Sequence, residues 1–322
     1  MRTRMHAPAL PTRQRGVALI TAVLVVALAT ILAINVTFRG MVDQRRSANL
    51  FAFDQGFEVA LGAEAWAADF LRKDAQETQQ DHLGEVWAQA MPPLPIDEGV
   101  GTVEGRLEDL QGRFNLNNLV FADGTPNEPA IRQLERILTM VDLEPTWAVA
   151  IADWIDGDVN PGFPDGAEDS VYTGMDPPHL AANMPITRAS ELLVLPEFGI
   201  DRYRRLQPYV TALPAGTKLN VCTASGVVLD ALLEDQRVFS LMNPQDLATR
   251  RKEACFPTTE DIRGTLGQAG YDQVKDTIGE SSSYFRATVW VTIGTTQFTL
   301  YSLLARGGAG SIRPLLRSFG AE

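Results

Sequence analysis

The sequence predicts an α+β protein with a long N-terminal helix, a small antiparallel sheet and a large helical domain inserted between its strands. Three observations predict it. No charge occurs between Arg15 and Arg39, and proline-free, helix-forming sequence runs on to about residue 75. Strand-like segments lie only early and late in the rest of the chain, at 101–110 and 284–304. The 173 residues between them read mostly as helices, and an insertion between strands of one sheet is the economical topology.

The N-terminal element follows from charge and hydropathy. Arg2, Arg4, Arg13 and Arg15 precede the apolar run Val17–Val36 without an intervening acid. That run is long enough to cross roughly 30 Å of hydrocarbon as a helix, and the arginines orient its start to the cytoplasm. Three fates are open: an uncleaved anchor, a signal peptide cut after Ala27-Leu28-Ala29, or a cut directly after Gly16. A basic leader ending in Gly16, with an apolar helix starting at once, is the prepilin arrangement. Beyond the run, Phe53, Phe57, Ala60, Leu61 and Glu64 keep spacings of three and four. A continuous or gently kinked helix over residues 17–73 results, with Gly40 the place where it would divide in two.

The proline-rich stretch 91–99 reads as a break. Gly101–Leu110 alternates Val103, Gly105 and Leu107 with Glu104, Arg106 and Glu108, a strand pattern. Helices are predicted at Pro129–Met140, Thr146–Ile155, Arg188–Leu195 and Asp201–Leu206. Others are predicted at Ser225–Leu233, Asp246–Glu253 and Thr259–Gly267. Tyr284–Ile293 and Gln297–Leu304, β-branched and aromatic around Gly294-Thr295-Thr296, predict a hairpin. Residues 307–322 read as a tail.

Composition excludes several function classes. Formal charge is −12 over 322 residues, and the first sixteen residues are basic, which leaves −16 on the remainder. That charge opposes binding to phosphate backbones. Two cysteines and three scattered histidines give no zinc-binding pattern. Nucleophile-elbow, zincin and phosphate-loop motifs are absent. His179 reads as a surface or packed imidazole. Leu219-Asn220-Val221-Cys222-Thr223-Ala224 before a helix looks like the opening of a helix–hairpin–helix module, yet Asp230, Glu234 and Asp235 follow it. Cys222 and Cys255, 33 residues apart, could form a disulfide outside the cytoplasm or remain two buried thiols.

The carboxylates crowd at Asp153, Asp156, Asp158, Asp165, Glu168, Asp169 and Asp176, among Gly157, Pro161, Gly162, Pro164 and Gly166. Such a loop is either solvated or neutralised by a hard cation with oxygen ligands. Asp156-x-Asp158-x-Asn160 starts like an EF-hand loop, but Pro161 stands at the glycine position and Glu168 falls one place late.

Taken in order, several segments resemble the K-type minor pseudopilins of the bacterial type II secretion system. They are Arg13–Ile20, Asp109-Leu110-Gln111-Gly112-Arg113-Phe114-Asn115-Leu116-Asn117-Asn118-Leu119, Asp153-Trp154-Ile155-Asp156-Gly157-Asp158, Gly166-Ala167-Glu168-Asp169, Ala181-Ala182-Asn183 and Leu219-Asn220-Val221. The resemblance spans nearly the whole chain. It implies a pilin-like fold with a SAM-like or helix–hairpin–helix-like insertion. Its organisation would be a leader at 1–16, a transmembrane and stem region at 17–90, and sheet segments at 91–112 and 281–306. The inserted domain would be 113–280, in parts of about 113–215 and 216–280, with a tail at 307–322.

The resemblance further implies cleavage by prepilin peptidase after Gly16 and methylation of Val17. It implies Ca²⁺ in the inserted domain, carried by position to Asp156, Asp158, Glu168, Asp169 and Asn183. It implies a single-pass inner-membrane protein with a periplasmic C-terminal domain. Its partners would be minor pseudopilins I and J, through them H and the major pseudopilin, the inner-membrane platform, and the outer-membrane secretin or cargo. Nucleic acid is not among them. The family often has Asn where Cys222 stands, so a disulfide would be a local variation. Pilin-like proteins mostly carry Glu at the fifth mature position; here it is Thr21. A membrane-anchored periplasmic metal-dependent enzyme is the rival reading.

Overall fold

A computed structural model describes residues 15–96, 101–234 and 237–320. The basic leader up to residue 14 lies outside the described residues. Helix α1, Arg15–Glu77, passes through Gly40 without a break. Its apolar stretch is exposed along its length, and the helix is long and apolar enough to cross a membrane. Thr21, Thr30 and Thr37 return their hydroxyls to carbonyls one turn back, on Val17, Val26 and Ala33. The only side-chain hydroxyls of that stretch are thereby satisfied within the helix, as a lipid environment demands.

From Glu58 onward the chain forms a second compact unit. Ala60, Glu64 and Leu71 are buried there, four and seven residues apart on one helical face. Leu71 packs with Trp87, Phe285, Ala287 and Leu304. Glu64, only 5% exposed, accepts two bonds from Arg317 at 2.8 and 2.7 Å and one from Ser302. The helix ends at Glu77, so residues 78–90 are not stem helix; they contain a short 3-10 turn, Val86–Ala88.

Five antiparallel strands form the sheet: β1 (Met91–Ile96), β2 (Gly101–Asp109), β7 (Tyr284–Ile293), β8 (Thr296–Arg306) and β9 (Ile312–Phe319), in that spatial order. The hairpin between β7 and β8 pairs Ile293 with Thr296 and turns at Gly294, whose φ is +57°. Only glycine takes that conformation without strain. Two segments differ from the sequence reading. Residues 91–96, a break by local composition though the resemblance puts 91–112 in the sheet, are an edge strand, where prolines 92, 93 and 95 need not donate to a ladder. Residues 312–319, expected as tail, are the opposite edge, with Pro314 at a register shift and Arg317 bonded to Glu64.

Between β2 and β7 lies the helical insertion. Its helices are α2 (Glu128–Met140), α3 (Trp147–Ile155), α4 (Asp169–Tyr172), α5 (Gly199–Leu206), α6 (Gly226–Asp230), α7 (Pro244–Glu253) and α8 (Thr259–Val274). The segment expected as a helix at 188–195 is a 3-10 turn, Ala189–Val194, and α8 kinks at Gly267. One core joins the insertion, with Leu116, Leu134, Ile151, Tyr172, Phe198, Val221 and Val228 all fully buried. Two parallel bridges staple it: β3 (Phe114–Asn115) with β4 (Val210–Thr211), and β5 (Leu219–Asn220) with β6 (Ile278–Gly279). Cys222 and Cys255 are disulfide-bonded. A closed loop of 33 residues contributes about 3–4 kcal/mol in the chain-entropy account.

The insertion meets the sheet at a buried polar junction. Asp109 Oδ2 accepts from Thr223 Oγ1 at 2.5 Å, Ser282 Oγ at 2.8 Å and Asn220 Nδ2 at 3.0 Å, and Oδ1 accepts from Gln111 N at 2.8 Å. Asn220 Nδ2 also reaches the Asp81 carbonyl, and Arg306 donates to the Asp81 carboxylate. Burial pushes Asp109 up to about 6, against the downward pull of its donors.

The native chain therefore holds this proton more tightly than the unfolded chain, whose carboxyl titrates near ~3.9. Stability from this group is full below pH ~4 and is lost as pH rises through about 6. Urea unfolding at stepped pH should show Asp109→Asn flattening the fall of stability between these values. The expected difference in slope from wild type is about 1 kcal/mol per pH unit.

Candidate metal centre

The acidic loop is built around a carboxylate that faces inward. Asp153, in the last turn of α3, accepts from Gly162 N and Ala167 N, both at 2.9 Å to Oδ2. Burial raises its pKa, and the two amides oppose that rise. The glycines are required by closeness. A Cβ on Gly166 would lie 2.2 Å from Asp153 Oδ2 and 2.3 Å from Gly162 N. At Gly162 it would lie 2.8 Å from Asp153 Oδ1. The loop thus folds back on α3 and delivers its two ends, Asp156 and Glu168, to one place.

Asp156, Asp158 and Glu168 each offer a carboxylate oxygen, and these atoms lie within 4.8 Å of one another. Asp156 and Glu168 are each 2% exposed, while Asp158 is open to solvent. Asp156 Oδ1 and both Glu168 oxygens are buried without a hydrogen-bond partner in the protein. Among the described residues no lysine or arginine pairs with them. Burial first, then the charges of Asp158 and Asp153, pushes Asp156 up to about 6. Burial first, then Asp156, Asp153, Asp158 and Asp169, pushes Glu168 up to about 7. Buried carboxylates with unused lone pairs and mutual repulsion fit a hard divalent cation. The all-oxygen donor set favours Ca²⁺ over zinc or softer metals.

The other two expected ligands are drawn to the same loop in different ways. Asp169 Oδ1 accepts from Ala181 N at 2.9 Å, which fastens the 180s segment beside α4. Asn183 donates from Nδ2 to the Asp158 carbonyl at 2.7 Å, holds a positive φ of 46°, and keeps its Oδ1 buried and unpartnered. Asp169 lies outside the group of three; Asn183 brings a carbonyl oxygen alongside Asp158. Asn160, the third position of the partial EF-hand match, donates to Asp158 Oδ1 instead, from both its backbone and side-chain nitrogens. Sequence reasoning placed Asp153 in the acidic cluster without a role of its own. The signal was present as two glycines four apart in an aspartate-rich loop.

A second carboxylate group shows what a self-neutralised cluster looks like. Asp74, Asp81 and Glu85 also lie within ligating distance of one another. Arg306 pairs with Asp74 at 3.2 Å and Asp81 at 2.7 Å, and Glu85 accepts from Thr78 Oγ1, His82 N and Trp87 Nε1. Burial and its acidic neighbours raise Asp74 to about 7, so a retained proton relieves the rest of the charge.

Comparison with known proteins agrees with this architecture. A family model described as type II secretion system (T2SS), protein K, matches residues 112–215. The type II secretion system protein K of Pseudomonas aeruginosa is 36% identical over 317 residues, covering 95% of this chain and 93% of that protein. Its counterpart in Aeromonas hydrophila is 32% identical, covering 96% and 98%. A chain in the crystal structure of the GspK-GspI-GspJ complex from enterotoxigenic Escherichia coli superposes with a TM-score of 0.75. That match is 24% identical and covers 86% of this chain and 100% of that chain.

The loop geometry makes one substitution decisive. Gly166→Ala should cost about 1–3 kcal/mol of stability, because backbone rather than a flexible side chain occupies the space of the new methyl. Urea denaturation of the variant against wild type measures it, with Gly264→Ala, where nothing lies within 4 Å, as the benign control.

Proposed function

Because the chain belongs to the type II secretion system protein K family, a family of minor pseudopilins, we propose that it caps the tip of the periplasmic pseudopilus. There it initiates assembly together with minor pseudopilins I and J, and through them H and the major pseudopilin. Family membership over almost the full chain carries this reading, and the uninterrupted α1 together with the inserted domain supports it. In this reading prepilin peptidase cuts after Gly16, Val17 becomes the methylated N-terminus, and α1 anchors the chain in the inner membrane. The remaining domain faces the periplasm, between the inner-membrane platform and the secretin or cargo. The chain is a structural subunit with no catalytic residues.

Thr21 supports the tip position. A glutamate at the fifth mature position would pair, within lipid, with the N-terminal ammonium of a subunit added above. Thr21 has no charge, and its hydroxyl is taken up by the carbonyls of Val17 and Ala18. A subunit so equipped neutralises no neighbour above it, which suits the last position. Intact mass and N-terminal sequence of the protein from native membranes test the processing. Methylated Val17 is the expected start, and Met1 or Thr30 would defeat the pseudopilin reading for this chain.

Ca²⁺ is the cofactor we assign to Asp156, Asp158 and Glu168, with Asn183 as a further oxygen and Asp169 holding the adjoining segment. Bound there, the ion supplies charge neutralisation and ties both ends of the loop and the 180s segment into one unit. At a free concentration 100-fold above its dissociation constant, Ca²⁺ should stabilise the fold by about 2.7 kcal/mol. Calorimetric melting with Ca²⁺ and with chelator measures this. Asp156→Asn and Glu168→Gln should each abolish the shift.

A further inference from the structure

The second part of the insertion holds a buried charge with no counter-charge. Arg251, in the last turn of α7, is only 6% exposed. Among the described residues no carboxylate pairs with it, and burial alone pushes its pKa down, to about 10. It is therefore still a cation at neutral pH. A buried guanidinium is tolerated only where its donors are taken up, and here carbonyls take them. Nε donates to the Phe256 carbonyl at 3.0 Å, and Nη2 donates to the Ala224 carbonyl.

The places of those two carbonyls are informative. Phe256 follows Cys255, and Ala224 stands two residues after Cys222. The link from Arg251 to Ala224 spans 27 residues and lies inside the 33-residue span of the disulfide. The bond to Phe256 closes the turn after α7 that carries Cys255. One guanidinium thus fastens the same two stretches of chain that the sulfur–sulfur bond joins. Asp230 holds the near side of the loop, accepting from Val238 N, Phe239 N and Ser240 N. The far side, the end of α7, bears on the segment that follows α1. A Cβ on Gly84 would overlap the Lys252 carbonyl, so the two backbones touch.

We propose that Arg251 is a second closure of the Cys222–Cys255 loop, independent of redox state, so that reduction of the disulfide leaves the end of α7 seated on Ala224 and against residues 82–84. The two closures differ in kind. A disulfide acts mainly by limiting the unfolded chain. Arg251 acts only in the folded chain, through charge-assisted bonds in a buried site. With Arg251 in place the two cysteines stand side by side before they are oxidised, and oxidation locks a geometry already formed. Reduction takes two electrons and two protons. An external dithiol supplies both and leaves as its own disulfide, and Cys222 and Cys255 become thiols.

Hydrogen–deuterium exchange read by mass spectrometry on the full chain in detergent tests this. Wild type and Arg251→Met are each measured oxidised, and each reduced after purification in dithiothreitol throughout. In wild type, amides of residues 80–85 and 241–256 should exchange at rates within twofold of each other in the two redox states. In Arg251→Met the reduced protein should exchange there at least tenfold faster than the oxidised one. Opening of these segments in the reduced wild type would overturn the proposal, because the disulfide alone would then hold them. Equal protection in the two reduced proteins would overturn it as well. Should Arg251→Met not fold, Arg251→Lys replaces it, since an ammonium keeps the charge but lacks the fork that reaches both carbonyls. Its reduced form should open by the same tenfold, and protection equal to that of the reduced wild type would refute the second closure.

Discussion

The buried carboxylate of Asp109 is the constraint on which the domain arrangement turns. The chain leaves the sheet at Asp109 and re-enters at Tyr284, after 174 intervening residues. Both ends of an insertion that long must reach adjacent positions, and Leu110 N does bond to the Tyr284 carbonyl at 3.1 Å. Asp109 collects donors from two distant stretches, Asn220 with Thr223 and Ser282, and from its near neighbour Gln111. Gln111 repeats the device, donating to the Lys218 carbonyl and accepting from Ser283 N. A buried acid with so many donors is costly to leave half-satisfied, so the junction admits one docking geometry. Asp81 extends it to the segment after α1, through the Ser282 amide and Arg306.

That junction lets the sheet remain small. Five strands in simple antiparallel order have two edges, and each edge is protected differently. The β1 edge carries prolines, which remove donors a further strand would need. The β9 edge carries Arg313, Pro314 and Arg317, and Arg317 is drawn to Glu64 on the helix. Glu64 is thus more than a polar residue on an apolar stripe. Its burial is tolerable because a bidentate guanidinium and a hydroxyl satisfy it, and removing Arg317 would leave a buried charge unpaired.

Much of this was legible in the sequence. The uncharged run after Arg15, the alternation of Val103–Glu108 and the β-branched hairpin around Gly294 are periodic signals that tertiary packing did not override. The strand at 312–319 was not legible, and that at 91–96 was legible only through the resemblance, because proline in both segments reads locally as a breaker and only their edge positions make it harmless. The 188–195 segment shows the other limit: its helical composition was right, but a tight 3-10 turn cannot be distinguished by periodicity over so few residues. In the candidate metal centre, the crowding of acids with glycine and proline singled out Asp156, Asp158 and Glu168, which the fold brings together. It could not give the division of labour between them and Asp153, which depends on how far the loop folds back.

The two acidic clusters, read together, indicate where the inserted domain is built to fold. Asp74, Asp81 and Glu85 are neutralised by the chain itself, through Arg306 and backbone or hydroxyl donors. Asp156, Asp158 and Glu168 have no such partner among the described residues, and their repulsion is relieved only by protons or by an external cation. A domain that leaves this work to a cation is suited to a compartment where Ca²⁺ is abundant. The Cys222–Cys255 bond points the same way, since such bonds persist in oxidising compartments and are rare in the cytosol. The arginines before Val17 fit the proposed cytoplasmic start of the apolar helix. Charge placement at the N-terminus, the disulfide and the carboxylate crowding are each what the proposed orientation across the membrane would favour. In the proposed topology the domain would gain the disulfide and the cation, and its final stability with them, only outside the cytoplasm.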